Sequence, residues 1–240
     1  MHARTIFILT GAGISAESGL STFRDADGLW KKYDIEDVAS IGGYERNPAL
    51  VLDFYNQRRG NLHGVKPNPA HFALAELERA WAAHGGAITL CTQNIDDLHE
   101  QGGSQRVVHM HGELRKARCH DCGDVTLADG DLTLTMGCAA CGRTGGLRPH
   151  VVWFGEMPLE MDAIYEALAA ADLFVSIGTS GSVYPAAGFV AAARSAGIPT
   201  MEINLAPSDN AELFDAARYG KASEAVPAWV REMLAIAAAG

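Results

Sequence analysis

Thr5-Ile6-Phe7-Ile8-Leu9 runs into Thr10-Gly11-Ala12-Gly13-Ile14-Ser15-Ala16. A short β-branched and aromatic run that stops at a glycine turn reads as a buried strand followed by a loop-to-helix transition. The turn fits G-x-G-x-x-A, whose glycines let backbone amides approach a dinucleotide pyrophosphate at a helix N-terminus. A plain tight turn is an equal alternative. A dehydrogenase fingerprint also needs an acidic residue closing a second strand about 20 residues on. Glu36 and Asp37 sit in no strand pattern, which disfavours hydride-transfer binding.

Further strands are predicted at Ala87 to Thr92, Leu173 to Ile177 and Pro199 to Ile203. Helical patterns fall at Pro48 to Leu62, Ala70 to Ala83, Leu159 to Ala170 and Pro185 to Ala196. In the second of these, Ala70, Ala73, Leu74, Leu77 and Trp81 recur at i, i+3, i+4 spacing. Strands alternating with helices predict an α/β fold, a Rossmann-like doubly wound parallel sheet.

The stretch from about Cys119 to Arg148 breaks this alternation and reads as a small inserted module. Within it Cys119 and Cys122, then Cys138 and Cys141, form two C-x2-C pairs with the spacing of a four-thiolate tetrahedral zinc site. Gly123 and Gly142, each directly after a pair, suit the tight turns such knuckles need. His120 could compete as a ligand, but four cysteines already complete the set and leave no open position for catalysis. Cys91, inside a predicted buried strand, reads as an inert core residue.

The 240 residues are 48% hydrophobic and 20% charged, an ordinary balance for a globular chain. A net charge of -10 gives no global attraction to nucleic acid or anionic lipid. The first residues are too brief an apolar run for a signal peptide, and no stretch approaches the roughly 20 apolar residues of a membrane span. The chain is therefore expected in the cytoplasm, away from membranes and nucleic acid, with its cysteines unpaired by disulfides.

Several polar groups follow predicted strands, at the carboxyl ends where open α/β sheets bind ligands. They are Gly178-Thr179-Ser180, Asn204-Leu205-Ala206 and Gln93-Asn94-Ile95-Asp96. Ordinary loop chemistry competes for the first two, and helix capping competes for Asp96. His109-Met110-His111-Gly112 could supply a general base, because imidazole titrates near neutrality. Two apart in a strand, the histidines would share a face, so spacing does not choose between them.

Taken together, GAGISAESGLSTFRDADGLW, TQNID, HMHGEL with the two cysteine pairs, VVWFGE, GTS and NLAP resemble the sirtuin family, in the family's order from about Ile6 to Val226. The resemblance implies an NAD-binding large domain from about 1–112 and 149–240. A zinc-binding small module spans about 113–148, with parts of about 30–65 adding helices to it. NAD is consumed as co-substrate, and one structural zinc sits on Cys119, Cys122, Cys138 and Cys141, remote from the chemistry. Gly11, Ala12, Gly13, Ile14, Ser15, Phe23, Arg24, Trp30, Gln93, Ile95, Gly178, Thr179, Ser180, Asn204, Leu205, Ala206 and Ala222 would contact the cofactor. Asn94 and Asp96 would hold the nicotinamide ribose and carboxamide. The acyl oxygen would attack C1′ of that ribose as nicotinamide leaves. His111, which the resemblance selects over His109, would then activate the ribose hydroxyls, yielding free lysine and O-acyl-ADP-ribose. Val152, Trp153, Phe154, Gly155 and Glu156 would line a strip on which an extended acyl-lysine peptide pairs through its backbone. The chain is expected to act as a monomer.

In the helix Pro48 to Leu62, Tyr55 and Arg58 at i, i+3 share a face while Arg59 points elsewhere. By residue type alone this is a solvated helix face. The pair resembles, however, the Tyr-x-x-Arg of sirtuins that remove succinyl and malonyl groups, in which a guanidinium fork and a phenol meet a carboxylate. Desuccinylase, demalonylase and deacetylase activity are thus expected. A protein ADP-ribosyltransferase and a non-catalytic NAD sensor are the alternatives.

Overall fold

The computed structural model describes residues 4–20 and 33–239. Six parallel strands form the main sheet: β1 (Thr5–Thr10), β2 (Ala87–Thr92), β3 (Val107–His109), β7 (Leu173–Ile177), β8 (Thr200–Asn204) and β9 (Ala216–Tyr219). Their spatial order is β3-β2-β1-β7-β8-β9. The chain winds outward from β1 in one direction, then returns to β7 and winds out in the other. The gap between the ends of β1 and β7 is thus the switch point where doubly wound sheets bind ligands.

The central strands are apolar almost throughout because both faces are covered. On β1, Ile6 and Ile8 enter one core with Ala70, Leu74 and Leu77 of α4 (Pro69–Ala83) and Val226, Trp229 and Val230 of α8 (Ala222–Ala239). Phe7 and Leu9 alternate into a second core with Ile164 and Leu168 of α6 (Met161–Ala169) and Phe189 and Val190 of α7 (Phe189–Ser195).

A separate antiparallel sheet, ordered β5-β4-β6, is built from β4 (Gly112–Cys119), β5 (Val125–Leu127) and β6 (Leu147–Val151). Between β1 and α4 lie α1 (Ile35–Val38), α2 (Ile41–Arg46) and α3 (Pro48–Asn61). Val38, Val51, Phe54 and Tyr55 from these helices bury against Leu114, Val151 and Trp153. The next face of α3 holds the cysteine-bearing segment. Asn56 exchanges two hydrogen bonds with the backbone of Leu132, each 2.9 Å, and buried Arg59 donates to the carbonyls of Leu114 at 2.9 Å and Gly130 at 3.3 Å.

Two expectations are corrected. After the glycine turn the chain makes two single 3-10 turns, Ala12–Ile14 and Ala16–Ser18, so no helix begins there. His109 and His111 do not share a strand face either, because β3 ends at His109 and β4 begins at Gly112. Among the described residues, no helix is long and apolar enough to cross a membrane. A short helix, α5 (Leu98–Gln101), completes the elements that frame the switch point.

Candidate active site

A cleft of about 1270 Å³ opens over the carboxyl ends of β1, β2, β7 and β8. Gly11, Ala12, Gly13 and Ser15 form one wall with Gly178, Thr179, Ser180, Asn204, Leu205, Ala206 and Ala222. Two loops meet there backbone to backbone: Gly13 N–H donates to the Gly178 carbonyl at 2.9 Å, and a Cβ on Gly13 would stand 2.8 Å from Gly178 Cα. Only glycine permits that approach, and it leaves a shallow main-chain cradle of the kind a pyrophosphate needs. Ile14 departs from the expectation, because its side chain is fully buried in the core and turned from the cleft. Glu17, which sequence reasoning missed, accepts from the N–H and Oγ of Ser223, both at 2.8 Å, clamping this loop to the start of α8. Phe23, Arg24 and Trp30 lie outside the described residues.

Gln93, Asn94, Ile95 and Asp96 leave β2 into the floor of the cleft, beside His111. Buried polar groups lock them from behind. Asn94 Nδ2 donates to Ser15 Oγ at 3.2 Å, and His71 Nε2 reaches the same oxygen at 3.4 Å. Asp96 accepts from the N–H of Leu98, the first residue of α5, at 3.1 Å, although Asp97 holds the N-cap position, and it faces the cleft as well. Burial raises its carboxyl pKa, and the hydrogen bonds from Leu98 and Ser15 act against that rise. His71 and His99 sit deeper, where burial lowers the pKa of each, that of His71 to about 4, so both stay neutral. Their sequence signal was slight, since a lone histidine in an apolar helix stretch reads as core.

The two candidate bases differ by their partners. His109 has acceptors at both nitrogens, Asn94 O at 3.4 Å from Nδ1 and Glu100 Oε1 at 2.7 Å from Nε2. Burial opposes its charge, but Glu100 outweighs burial and the pKa rises. His111 Nδ1 donates to the Gln93 carbonyl at 3.1 Å, which fixes the tautomer and leaves Nε2 as the basic atom. Its pKa falls through burial, against the Gln93 bond, so the ring is neutral at physiological pH.

Tyr55 and Arg58 come from α3 to the far side of the cleft. Burial pushes the Tyr55 hydroxyl up to about 12 and lowers the Arg58 pKa, which Tyr55 and Asp96 partly restore. Val152 to Glu156 border the same cavity, but their side chains divide. Phe154 is 53% exposed, whereas Trp153 is 2% exposed and Glu156 pairs with Arg148.

Cys119, Cys122, Cys138 and Cys141 converge away from the cleft, all four sulfurs within 4.8 Å of one another. Two separations are 3.7 Å. A tetrahedral zinc at ordinary Zn–S distances spaces its sulfurs about 3.8 Å apart, so the set fits. The knuckles are alike: Gly123 N–H donates to Cys119 O at 3.0 Å and Gly142 N–H to Cys138 O at 2.9 Å. Both glycines have positive φ, 77° and 74°. His120 takes no part in the cluster, and Cys91 is wholly buried in the second core.

A Sir2 family model matches residues 11–185. An NAD-dependent protein deacylase of Caulobacter vibrioides is 64% identical over 230 residues, covering 96% of this chain and 97% of that protein. Among solved structures, a Sir2 homologue in complex with NAD is similar at TM-score 0.88 and 37% identity, covering 98% of this chain and 91% of that one. Sir2Af2 bound to a myristoylated histone peptide is similar at TM-score 0.73 and 31% identity, with 99% and 94% covered.

Proposed function

The chain belongs to the Sir2 family, and from that premise we propose that it is an NAD-dependent protein deacylase acting on lysines that carry succinyl, malonyl or acetyl groups. The observation that carries the acyl range is the Tyr55 and Arg58 pair on an otherwise apolar wall of the cleft, beside Leu62, Leu114 and Val151. A carboxylate entering an apolar tunnel is costly to desolvate unless charged donors meet it. A guanidinium fork with a phenol supplies them, and an acetyl chain still fits the same space.

NAD, when bound, supplies an electrophilic ribose carbon and nicotinamide as the departing group. The glycine cradle of Gly11, Gly13 and Gly178, with Ser180, Asn204 and Ala222, holds its phosphates and adenosine. Asn94 and Asp96 orient the nicotinamide ribose and carboxamide, pinned from behind by Ser15 and the Leu98 N–H. His111 takes a proton from a ribose hydroxyl at Nε2, a role supported by the Gln93 bond that occupies Nδ1. His109 meets the Asn94 carbonyl and the Glu100 carboxylate at its two nitrogens and does not line the cleft, so it is not placed for the task. With one water consumed, free lysine, nicotinamide and O-acyl-ADP-ribose leave. The peptide lies along Val152, Phe154 and Gly155. We assign 1–112 and 149–240 to the cofactor half and 113–148 to the zinc module, with α1 to α3 packed as its helical share.

Mass spectrometry of products from matched acetyl- and succinyl-lysine peptides tests this directly. Both peptides should yield free lysine and the corresponding O-acyl-ADP-ribose. Arg58→Met should lower the succinyl to acetyl ratio of kcat/KM by roughly 100-fold, the scale of losing one partner of a buried charge pair. Equal loss on both peptides would remove the acyl assignment.

A further inference from the structure

Trp153 lies in the stretch assigned to the peptide, yet its indole faces inward. Its Nε1, which can only donate, gives its proton to Tyr55 Oη at 3.1 Å. That fixes polarity at the pocket wall. A phenol oxygen that accepts one hydrogen bond still has its own O–H to give. With the hydroxyl pKa pushed up to about 12, that proton stays in place at neutral pH. Among the described residues, no acceptor takes it. Arg58, one turn further along α3 and on the same cleft, has only donors to offer.

The indole is itself clamped. The Arg148 guanidinium stacks on it, 3.3 Å from the ring centroid. Arg148 is held in turn by both carboxylate oxygens of Glu156, at 2.7 and 2.9 Å, and by the Val151 carbonyl at 2.8 Å. Glu156 closes the turn by accepting from the backbone N–H of Trp153 at 2.8 Å. Two residues of the strip thus shape the acyl pocket from behind.

We propose that Trp153 is a positioning residue for acyl-chain selection: its indole N–H occupies the phenol oxygen of Tyr55, so the hydroxyl proton is delivered to the cleft beside the Arg58 guanidinium. The wall then presents donors alone, which favours an acyl chain ending in a carboxylate over one ending in a methyl group. This rests on the acyl range argued above.

Trp153→Phe keeps an aromatic ring on Arg148 and removes only the donor. Measured on peptides of one sequence, the succinyl to acetyl ratio of kcat/KM should fall roughly three- to tenfold, the worth of one hydrogen bond, chiefly through a higher KM for the succinyl peptide. The ratio does not depend on how much of the variant is folded. In a Tyr55→Phe background the same substitution should leave the ratio unchanged, because the hydroxyl it positions is gone. A ratio untouched by Trp153→Phe, or shifted equally in both backgrounds, overturns the inference alone. A wild-type enzyme inert toward the succinyl peptide overturns the acyl range and the inference with it.

Discussion

His109 and His111 carry the same side chain two positions apart and are set to opposite tasks by their neighbours. Glu100 lies at Nε2 of His109 and the Asn94 carbonyl at its Nδ1, while His111 meets only the Gln93 carbonyl, at Nδ1. His111→Ala should cut turnover by about 10²- to 10⁴-fold, the usual worth of a general base, and leave NAD binding measurable by calorimetry. Because its pKa is lowered from 6.5, the base form persists below that value. The acid limb of kcat/KM should therefore fall below pH 6.5, and a limb above it would point to another base. The motif residues were legible as types, but spacing did not choose between the two histidines, and only the resemblance selected His111. Glu100 reaches the pair from α5 and Gln93 from the end of β2, and no local spacing encodes such partners. For the same reason Trp153 and Glu156 were expected along the peptide strip, and the inward turn of the indole with Glu156 behind it was not legible.

At the scale of elements, the long apolar ones were largely legible in the sequence, apart from α8, the longest helix, which was not assigned. The strands Ala87–Thr92 and Leu173–Ile177 match residue for residue, since short β-branched and apolar runs bounded by turn signals mark them. The short pieces α1, α2 and α5 and the polar strands β4 and β6 were not seen. Four to six residues cannot display a helical period, and β6 includes Arg148, Pro149 and His150. Caps are where an element meets the site. Asn68 caps α4 through its Oδ1 to Ala70 N–H at 2.9 Å, and its Nδ2 donates to Ile14 O at 2.7 Å and Ser18 Oγ at 3.0 Å. Asn68→Ala removes a cap and strands a loop carbonyl, so denaturant unfolding should show a loss of about 2 kcal/mol. The KM for NAD should rise more than that for the peptide, because the loosened loop is the one proposed to cradle the cofactor.

Across the whole molecule, the doubly wound sheet and the carboxyl-end loops of the cleft were legible from alternation, but the way those loops meet was not, since they come from segments separated by most of the chain. The zinc cluster was plain in the spacing because a tetrahedral ion demands two turns of one kind. Removing the metal with a chelator should unfold the module and stop deacylation, because metal binding is coupled to folding. Near-ultraviolet dichroism and metal analysis should change in step with activity, while the parallel sheet keeps its far-ultraviolet signal. Activity that survives full metal loss would contradict this. Helix α3 joins the two regions. Tyr55 and Arg58 look into the cleft, and Asn56 and Arg59, a quarter-turn around, grip the segment beside the cysteines. A preparation short of metal is then a mixture of working and idle enzyme, whose total turnover follows its zinc content while the succinyl to acetyl ratio of the working part stays fixed.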